Sequence, residues 1–260
     1  LIYFGYHILM QQHINIRFYA ELNDFLPPAQ RGREIIHELK QPRSIKDLIE
    51  SIGIPHPEIE LVLVNGNPVK LDHLVQEGEY ISVYPLFRSL DISPVQHCQP
   101  ELPHDPCFVL DVHLGRLAAY IRMLGFDALY RNDYTDETLA DISGNSDRIL
   151  LSCDRQLLMR KKVALGYFVR ARKPLQQLQE VLSRFALMDQ IKPFTRCMHC
   201  NGNTHEVRKS EIEEQLLAET KKYYNTFFQC EDCKKVYWQG NHYSKMQQII
   251  CSLRDDSTSI

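Results

Sequence analysis

The run Cys107-Phe-Val-Leu-Asp111 is an apolar segment that ends in a carboxylate, a pattern typical of a buried strand. A second run of this kind, Arg148-Ile-Leu-Leu-Ser-Cys-Asp154, comes later in the chain. Between them the sequence predicts a helix over 114–124 that ends at Gly125, and a helix capped by Thr135. Further strands are predicted at 128–131 and 166–169, and further helices at 155–162 and 174–185. Strands that alternate with helices predict an α/β fold, an open parallel sheet with helices on both faces.

Acidic residues follow the predicted strands of this sheet. Asp111 and Asp154 each end a strand, and Asp136 and Glu137 open the helix after the next strand. Ligands of such sheets bind beyond the carboxyl ends of the strands, so we expect these acids at one edge. Clustered carboxylates need a cation, and Mg²⁺ or Mn²⁺ prefers oxygen ligands. A metal held this way can orient and activate water and stabilise charge on a phosphodiester oxygen.

Each acid also has an ordinary structural explanation. Asp136 and Glu137 suit the first turn of a helix because the helix dipole favours negative charge there. Asp154 suits an N-cap position. Both interpretations stay open at the level of sequence. Weaker candidates for the metal site are Asp127, Asp133 and Asp141.

Four of the eight cysteines form two close pairs, Cys197-Met-His-Cys200 and Cys230-Glu-Asp-Cys233. Each pair can place two thiolates on one turn, and two such turns close a tetrahedral site. Four thiolates leave no open position for a substrate, so the spacing predicts a structural Zn²⁺ in a zinc ribbon. The alternatives are two disulfides, which need an oxidising compartment, or four free thiols. Between the pairs, Ser210-x-x-Glu213 predicts one helix that runs to Tyr223.

Basic and aromatic side chains are candidates for nucleic-acid contacts. Arg116 and Arg122 lie on the predicted helix 114–124, and Arg155 follows the last acid. Trp238 and His242 follow the second cysteine pair and could stack on unpaired bases. Two basic runs, 160–162 and 170–173, could meet phosphates or could form a solvated charged face. A small zinc domain also needs aromatic residues in its core, the role favoured for Phe228.

The first part of the chain has a different pattern. Residues 13–20 and 34–39 read as strands, and a helix follows with Ser44 as its cap and Gly53 as its stop. Further strands are predicted at 60–64 and 80–84. The order β-β-α-β-β over residues 13–88 predicts a small ubiquitin-like β-grasp domain. The segment after it is rich in proline and reads as a linker over 89–106.

This first part resembles the sulfur-carrier branch of the β-grasp fold. The matching residues are Val64-Asn-Gly66, Val69, Leu74, Gly78-Glu79, Ile81 and Pro85. Sulfur carriers act through a free C-terminal Gly-Gly, whereas this chain continues through Leu86-Phe-Arg-Ser-Leu90. The sequence therefore favours a docking or substrate-presenting module over carrier chemistry.

Composition and charge exclude several classes. Hydrophobic residues make up 44% of the 260 residues and charged residues 24%, enough for real cores and too apolar for a disordered chain. A net charge of −3 excludes a strongly basic binder of the histone type. No segment has the length and apolarity of a membrane span, and no secretory signal pattern is present, so we expect a cytoplasmic protein. Residues 1–9 are predicted to be an upstream extension, with Met10 as the start.

The ordered set of motifs resembles the Mut-seven C-terminal RNase domain, a PIN-like nuclease fused to a zinc ribbon, whose bacterial members carry a ubiquitin-like domain in front. The residues that carry the resemblance are Val109-Leu-Asp111, Leu114 to Ala118, Ile121 to Asp127, Asp136-Glu137, Arg148 to Arg155 and the four cysteines. It implies metal-dependent cleavage of RNA, with Asp111, Asp136 and Asp154 as the acids and Glu137 as a fourth. The domains expected are 13–88 (β-grasp), 107–190 (PIN-like nuclease) and 194–245 (zinc ribbon), with 89–106 as the linker.

Three functions compete. The leading hypothesis is a Mg²⁺- or Mn²⁺-dependent ribonuclease with a structural Zn²⁺. The second is a non-catalytic RNA- or ribosome-binding adaptor with a degenerate PIN pocket. In the third, the β-grasp domain docks the nuclease to a protein partner.

Overall fold

The computed structural model describes residues 12–87, 98–100 and 102–257, and at 12, 241–242 and 254–257 it describes the backbone alone. The chain divides into two compact units. The first comprises Leu1–Glu101 and Asp154–Tyr167, and the second comprises Leu102–Cys153 and Phe168–Ile260. The predicted start at Met10 and part of the predicted linker, 89–97 and 101, lie outside the described residues.

The first unit contains a five-stranded sheet in the order β2-β1-β5-β3-β4. β1 pairs antiparallel with β2 and parallel with β5, and β3 pairs antiparallel with both β5 and β4. The elements are β1 (Gln12–Phe18), β2 (Glu34–Leu39), α1 (Ile45–Ile52), β3 (Leu61–Val64), β4 (Asn67–Val69) and β5 (Tyr80–Tyr84), with short 3-10 helices at Ala20–Phe25, Pro28–Gln30 and His56–Glu58.

Local sequence accounts for this sheet and its helix. Ile14, Ile16 and Phe18 alternate along β1 and are buried, as the period of two in a strand requires. The Ser44 hydroxyl accepts a hydrogen bond from the backbone N–H of Asp47 at 3.1 Å and caps α1. Gly53 ends α1 in the left-handed region, at φ 101°, which a side chain would disfavour. The predicted ubiquitin-like fold is confirmed.

The next part of the chain forms a four-stranded sheet in the order β7-β6-β8-β9. β6 is parallel to both β7 and β8. Its three residues are fully buried, which matches the continuous apolar run in the sequence. The elements are β6 (Phe108–Leu110), α2 (Gly115–Met123), β7 (Ala128–Leu129), α3 (Asp136–Ser146), β8 (Ile149–Ser152), α4 (Arg155–Leu158), β9 (Gly166–Phe168) and α5 (Pro174–Arg184), with 3-10 helices at Val112–Leu114 and Met188–Gln190.

Helices cover this parallel sheet in the second unit. α2 packs against α5, and α3 lies against β6 and β8. The predicted mixed α/β class with a parallel sheet is therefore confirmed. α4 is shorter than the predicted helix 155–162, because the chain leaves the helix at Met159 and turns, with the Val163 N–H donating to the Arg160 carbonyl.

The C-terminal part carries a three-stranded antiparallel sheet, β10-β11-β12. Phe227 is fully buried and packs with Ile212 and Leu216. The elements are β10 (Thr204–Val207), α6 (Lys209–Ile212), a 3-10 helix at Glu213–Gln215, α7 (Ala218–Tyr223), β11 (Phe227–Cys230), β12 (Val236–Trp238) and α8 (Asn241–Ser257).

The prediction of one helix from Ser210 to Tyr223 is wrong. α6 begins at Lys209 with Arg208 as its N-cap residue, so Ser210 lies inside the helix. The helix is also interrupted, because the backbone is extended at Leu216 and Leu217. This break buries Leu216 against Phe227 and leaves Leu217 exposed. Among the described residues, no helix is long and apolar enough to cross a membrane.

Candidate functional site

Asp111 lies where the parallel sheet predicts a ligand-binding acid. It follows β6 directly and is only 6% exposed. Its Oδ2 accepts a hydrogen bond from the Ser152 hydroxyl at 2.8 Å, and Ser152 is the fully buried last residue of β8. The carboxyl ends of two neighbouring parallel strands thus meet at a buried carboxylate whose orientation a hydroxyl fixes.

Asp136 and Glu137 form the first turn of α3 and are exposed. The Thr135 hydroxyl caps this helix by accepting a hydrogen bond from the Thr138 N–H at 3.2 Å. The two carboxylates therefore lie at the positive end of the helix dipole, the ordinary position that the sequence also allowed. This placement is compatible with either role.

Asp154 is exposed and belongs to the first unit. Its Oδ1 accepts a hydrogen bond from the Gln156 N–H at 2.7 Å, so Asp154 is the N-cap residue of α4. The N-cap interpretation is confirmed.

The cysteines converge more closely than the acids. Among the described residues, one set of three or more potential metal ligands has its ligand atoms within 4.8 Å of one another. Its members are Cys197, Cys200, Cys230 and Cys233. The acids Asp111, Asp136 and Asp154 do not form such a set. The carboxylate metal site is therefore still a prediction.

The four sulfur atoms have the spacing of a tetrahedral metal site. Cys197 Sγ lies 3.6 Å from Cys233 Sγ, and Cys200 Sγ lies 3.4 Å from Cys230 Sγ. Zinc–sulfur bonds of about 2.3 Å give tetrahedral edges of about 3.8 Å, whereas sulfurs in a disulfide are about 2.05 Å apart. All four cysteines are free thiols in the structure. The donor set therefore fits a metal such as zinc, and the disulfide alternative is wrong.

Tight backbone turns bring each cysteine pair together. The Cys200 N–H donates to Cys197 Sγ at 3.5 Å, and the Asn201 N–H donates to the Cys197 carbonyl at 2.9 Å. Gly202 lies so close to the second turn that a Cβ there would be 2.2 Å from Asp232 Oδ2 and 3.1 Å from Cys230 Sγ. Any other residue would push the Asp232 side chain away and crowd Cys230 Sγ, so the close approach of the two turns favours glycine here.

Hydrogen bonds prepare one thiol for ionisation. The pKa of Cys197 is lowered to about 7, because burial raises it but hydrogen bonds from the Tyr237 hydroxyl and the backbone N–H groups of Cys200 and His199 outweigh that effect. Tyr237 lies 3.0 Å from this sulfur, and burial raises its own pKa. The pKa of Cys230 is raised, chiefly by burial. Metal binding requires thiolates, so a bound cation must displace protons here.

Arg122 was predicted to bind RNA, but the structure gives it a different position. It is 4% exposed, and its Nε donates to the Ala128 carbonyl at 2.8 Å. Its Nη1 donates to the carbonyls of Met198 and His199, the residues between the first two cysteines. Burial lowers the pKa of this guanidinium. Arg122 thus holds the first cysteine turn against β7, and it is not part of a surface that phosphates can reach.

A second contact between the cysteine turn and the sheet was missed from sequence. Asn201 accepts a hydrogen bond from the Ala128 N–H at 2.9 Å and donates one to Asp127 at 2.9 Å. Asp127 also pairs with Arg148 at 2.6 Å and with Arg196 at 3.3 Å. Burial raises the pKa of Asp127, but these partners outweigh burial and lower it. Asp127 is therefore a structural ion-pair residue, and the position of Asn201 directly after Cys200 was the available signal.

The other four residues predicted to contact RNA differ in their exposure and in their contacts. Arg116 is exposed on α2. The Arg155 Nη1 donates to the Phe25 carbonyl at 3.1 Å, and its guanidinium lies 4.8 Å from the centre of the Phe25 ring, so it joins α4 to the 3-10 helix Ala20–Phe25 of the same unit. Trp238 is 37% exposed on β12. His242 lies in α8, but its side chain is outside the described part of the structure.

The first unit holds the segment after Asp154 at a further point. His56 is buried, with Nδ1 2.6 Å from Glu50 Oε1 and Nε2 2.8 Å from the Val163 carbonyl. The ubiquitin-like region therefore contacts this segment both at its helix and at the turn that follows.

Comparison with protein families agrees with these features. The model of the Mut7-C RNAse domain matches residues 106–250, more than half of the chain, and the model of the Mut7-C ubiquitin domain matches residues 11–91. The chain belongs to the Mut7-C RNAse domain family. The resemblance drawn from the sequence motifs is thus confirmed. The comparisons with curated proteins and with solved structures found no match.

Membership in the Mut7-C RNAse domain family supports a nuclease-like function in general and is consistent with RNA binding. The four cysteines give the same part of the chain a site that could hold a metal such as zinc.

Proposed function

We propose that this protein is a metal-dependent ribonuclease that hydrolyses RNA phosphodiester bonds. The observation that carries the proposal is the buried carboxylate of Asp111, oriented by Ser152 at the ends of two adjacent parallel strands, in a chain of an RNAse-domain family. Asp136 and Asp154 are the further acids of the proposed site, and Glu137 is a fourth.

The donor set suits Mg²⁺ or Mn²⁺. These hard cations take oxygen ligands, keep several of their waters and are often held by only one or two carboxylates. Three carboxylates within 4.8 Å are therefore not required. When bound, such an ion supplies positive charge that stabilises a developing phosphodiester oxyanion and lowers the pKa of water.

The side chains of the chain have defined tasks in this proposal. Asp111 is positioned before any ligand arrives, because the Ser152 hydroxyl and two strand ends hold it. Such preorganisation avoids a reorganisation cost during the reaction. Attack of water on phosphorus and departure of the 3′ oxygen would leave a 5′-phosphate and a 3′-hydroxyl. Arg116 is the exposed cation on α2 that we propose to contact RNA.

The four cysteines are proposed to bind a structural Zn²⁺, since four thiolates fill its coordination shell. A stable thiolate site is also the reason to propose the cytoplasm, where thiols stay reduced. We propose that residues 13–88 form the β-grasp domain and 89–106 the linker. The nuclease domain is then 107–190 and the zinc ribbon 194–245. The contacts of His56 and Arg155 support a role of the β-grasp domain in holding the chain's own α4 segment, in addition to a protein partner.

Cleavage of a mixed panel of single-stranded and structured RNAs with Mn²⁺ tests the proposal. Asp111→Asn and Asp154→Asn should abolish turnover, because each removes a negative ligand while keeping the hydrogen-bond acceptor. The matched control is Asp147→Asn, because Asp147 is an exposed acid at the far end of α3. Its backbone is in the left-handed region, a conformation that asparagine tolerates. Equal cleavage by all four proteins would contradict the proposal.

The second candidate is a non-catalytic RNA- or ribosome-binding adaptor with a degenerate pocket. The observation that favours it is that Asp136 and Asp154 occupy ordinary helix-start positions. RNA binding without turnover, unchanged by Asp111→Asn, would establish this function instead.

A further inference from the structure

The second unit contains a cavity of about 260 Å³ with mostly apolar walls, to which five aromatic residues contribute. It is formed by the residues before Cys197, by the β11–β12 hairpin and by α8. The principal side chains are Phe194, Phe228, Tyr237, Trp238, Tyr243 and Met246. Phe228, predicted to be a core residue, lines this cavity, whereas its neighbour Phe227 occupies the core.

Two of the aromatic rings pack against each other. The rings of Phe194 and Tyr243 are 4.5 Å apart between centres, with 33° between their planes. Gly240 lies close to the indole of Trp238, because a Cβ at position 240 would be 2.8 Å from the indole nitrogen. The Gly240 N–H also donates to the Trp238 carbonyl at 2.9 Å. Trp238 is 37% exposed, so its indole offers a surface for stacking.

Trp238 also borders a second, adjoining cavity of about 220 Å³. Lys234 and Lys235 line that cavity and are exposed. Lys234 and Lys235 lie in the turn between β11 and β12, and Trp238 is the last residue of β12, so one hairpin carries an aromatic surface and two positive charges. Arg196 lines the first cavity, but it is already engaged with Asp127 and with the Asn201 carbonyl, so the lysines supply the available charge.

These features select the occupant. The volume is near the lower end of small-ligand pockets, about 300 Å³, which suits a single ring system. His205, Glu206 and Gln239 also line the cavity and can form hydrogen bonds with the edge of a ring. An apolar peptide side chain would use the aromatic walls but would have no need of the lysines beside them. A nucleobase attached to a phosphate uses all three features.

We propose that this cavity binds an unpaired nucleobase of single-stranded RNA, with the base against Trp238 and the adjacent phosphates at Lys234 and Lys235. The inference rests on the proposed function in taking RNA as the ligand. It adds a substrate-binding site in the four-cysteine region, apart from Asp111 in sequence and in chemistry.

The chain contains one tryptophan and 13 tyrosines, so fluorescence excited selectively at tryptophan reports this site alone. A ten-nucleotide oligoadenylate should quench the emission of the full-length protein, with Mg²⁺ and Mn²⁺ omitted to prevent turnover. Affinity is measured in parallel from the anisotropy of fluorescently labelled oligoadenylate. Inorganic phosphate, which has no base, should not quench the emission.

Variants separate stacking from charge. Trp238→Ala should weaken oligoadenylate binding roughly 5- to 100-fold, as expected for the loss of one stacked base, and Trp238→Phe should retain most of the affinity. The double variant Lys234→Asn, Lys235→Gln should reduce the slope of log affinity against log salt by about 1.4, at about 0.7 per phosphate of a single strand. The asparagine tolerates the positive φ of 59° at position 234. Lys40→Gln, an exposed lysine of the first unit, is the control and should change neither quantity.

Metal content and thermal unfolding of every variant must match the wild type, and Trp238→Phe keeps the test informative if Trp238→Ala does not fold.

Oligoadenylate binding that leaves the emission unchanged and is insensitive to Trp238→Ala would overturn the inference, while Mn²⁺-dependent cleavage would leave the proposed ribonuclease intact. Conversely, quenching without cleavage would support this site and contradict the enzyme. Stronger quenching by a hexaglutamate peptide than by RNA would assign the cavity to an acidic protein segment and also overturn the inference.

Discussion

The four cysteine sulfurs lie within 4.8 Å of one another, whereas Asp111 is buried beside Ser152 and Asp136 is exposed at the start of α3. An ordinary thiol has a pKa of about 8.5 and is mostly neutral at pH 7, so several thiols can approach with little repulsion even where one of them, Cys197, ionises more readily. Carboxylates are charged at neutral pH and repel one another unless a cation is present. The fold thus brings the four sulfur atoms together, and we expect the acids to approach one another closely only around a cation.

The two regions also differ in the backbone elements that carry their side chains. The cysteines lie on two tight turns that meet at Gly202, and Arg122 and Asn201 join the first turn to the parallel sheet. The acids come from a strand end and two helix starts. Removing a ligand should therefore damage the fold in the cysteine region and damage metal affinity in the acidic region.

The largest expected effect is that of Cys230→Ala. Structural zinc contributes about 10–16 kcal/mol of binding free energy in small domains, so loss of one ligand should cost several kcal/mol of stability in this region. We expect one zinc per chain in the wild type, and in the variant no zinc and rapid hydrogen exchange over β10 to β12. Cys251→Ala, an exposed cysteine of α8, is the control. A Cys230→Ala protein with full zinc content and unchanged exchange would remove the contrast between the two regions.

Asp127→Asn should be next in size, because it breaks the partly buried pairs with Arg148 and Arg196 that support the cysteine turn. We expect a loss of about 2–4 kcal/mol in the free energy of unfolding, measured with urea at pH 7. Asp133→Asn, which breaks an exposed pair with Arg131, is the control and should change stability little. Equal effects of the two substitutions would contradict a supporting role for Asp127.

The Asp127 effect should depend on pH in a defined direction. The folded-state pKa of Asp127 lies below its ordinary value, so its contribution is complete above the unfolded pKa of about 3.9. It is lost as pH falls through the folded pKa. The stability difference between wild type and Asp127→Asn should therefore be constant from pH 7 to about pH 5 and shrink below about pH 4.

Asp111→Asn should leave the fold unchanged, because the amide oxygen can still accept the Ser152 hydrogen bond. It should weaken Mn²⁺ binding at least 10- to 100-fold. That is the loss seen when a residue that only hydrogen-bonds to a metal ligand is replaced, and loss of a ligand itself should cost no less. Calorimetric titration of the zinc-loaded protein measures this, with Asp147→Asn as the matched acid. A large drop in thermal stability would show that Asp111 is a structural residue like Asp127.

The smallest effect is expected for Arg155→Ala. The Arg155 side chain donates to the Phe25 carbonyl and lies over the Phe25 ring, contacts worth about 1–2 kcal/mol together. Limited proteolysis should become faster within residues 154–167, and Lys161→Ala, an exposed neighbour, should leave it unchanged. Equal proteolysis of both variants would show that α4 is held by other contacts.

Patterns with a short range were read correctly from the sequence. The cap at Ser44, the stop at Gly53 and the alternation along β1 each depend on a few neighbouring residues. The cysteine spacing likewise identified the metal-ligand set. The helix from Ser210 to Tyr223 failed because burial of Leu216 against Phe227, a tertiary contact, outweighed the local capping pattern.

The roles of charged residues were less predictable. An arginine on a helix looks the same in sequence whether it faces solvent, as Arg116 does, or backbone carbonyls, as Arg122 does. Asp127 had the appearance of a weak metal ligand until Arg148, Arg196 and Asn201 were placed around it. Such pairs join residues far apart in the chain, so no local pattern encodes them.

By itself the sequence determined the ubiquitin-like and α/β parts, the four-cysteine set and the family, because hydrophobic period, turn residues and ligand spacing are local properties. Only the tertiary structure decided that Asp111 is oriented by Ser152, that Arg122 and Asp127 support the cysteine turn, and that residues 154–167 pack with the first unit. The physical reason is that burial and pairing of a charge depend on which distant groups the fold brings within a few ångströms.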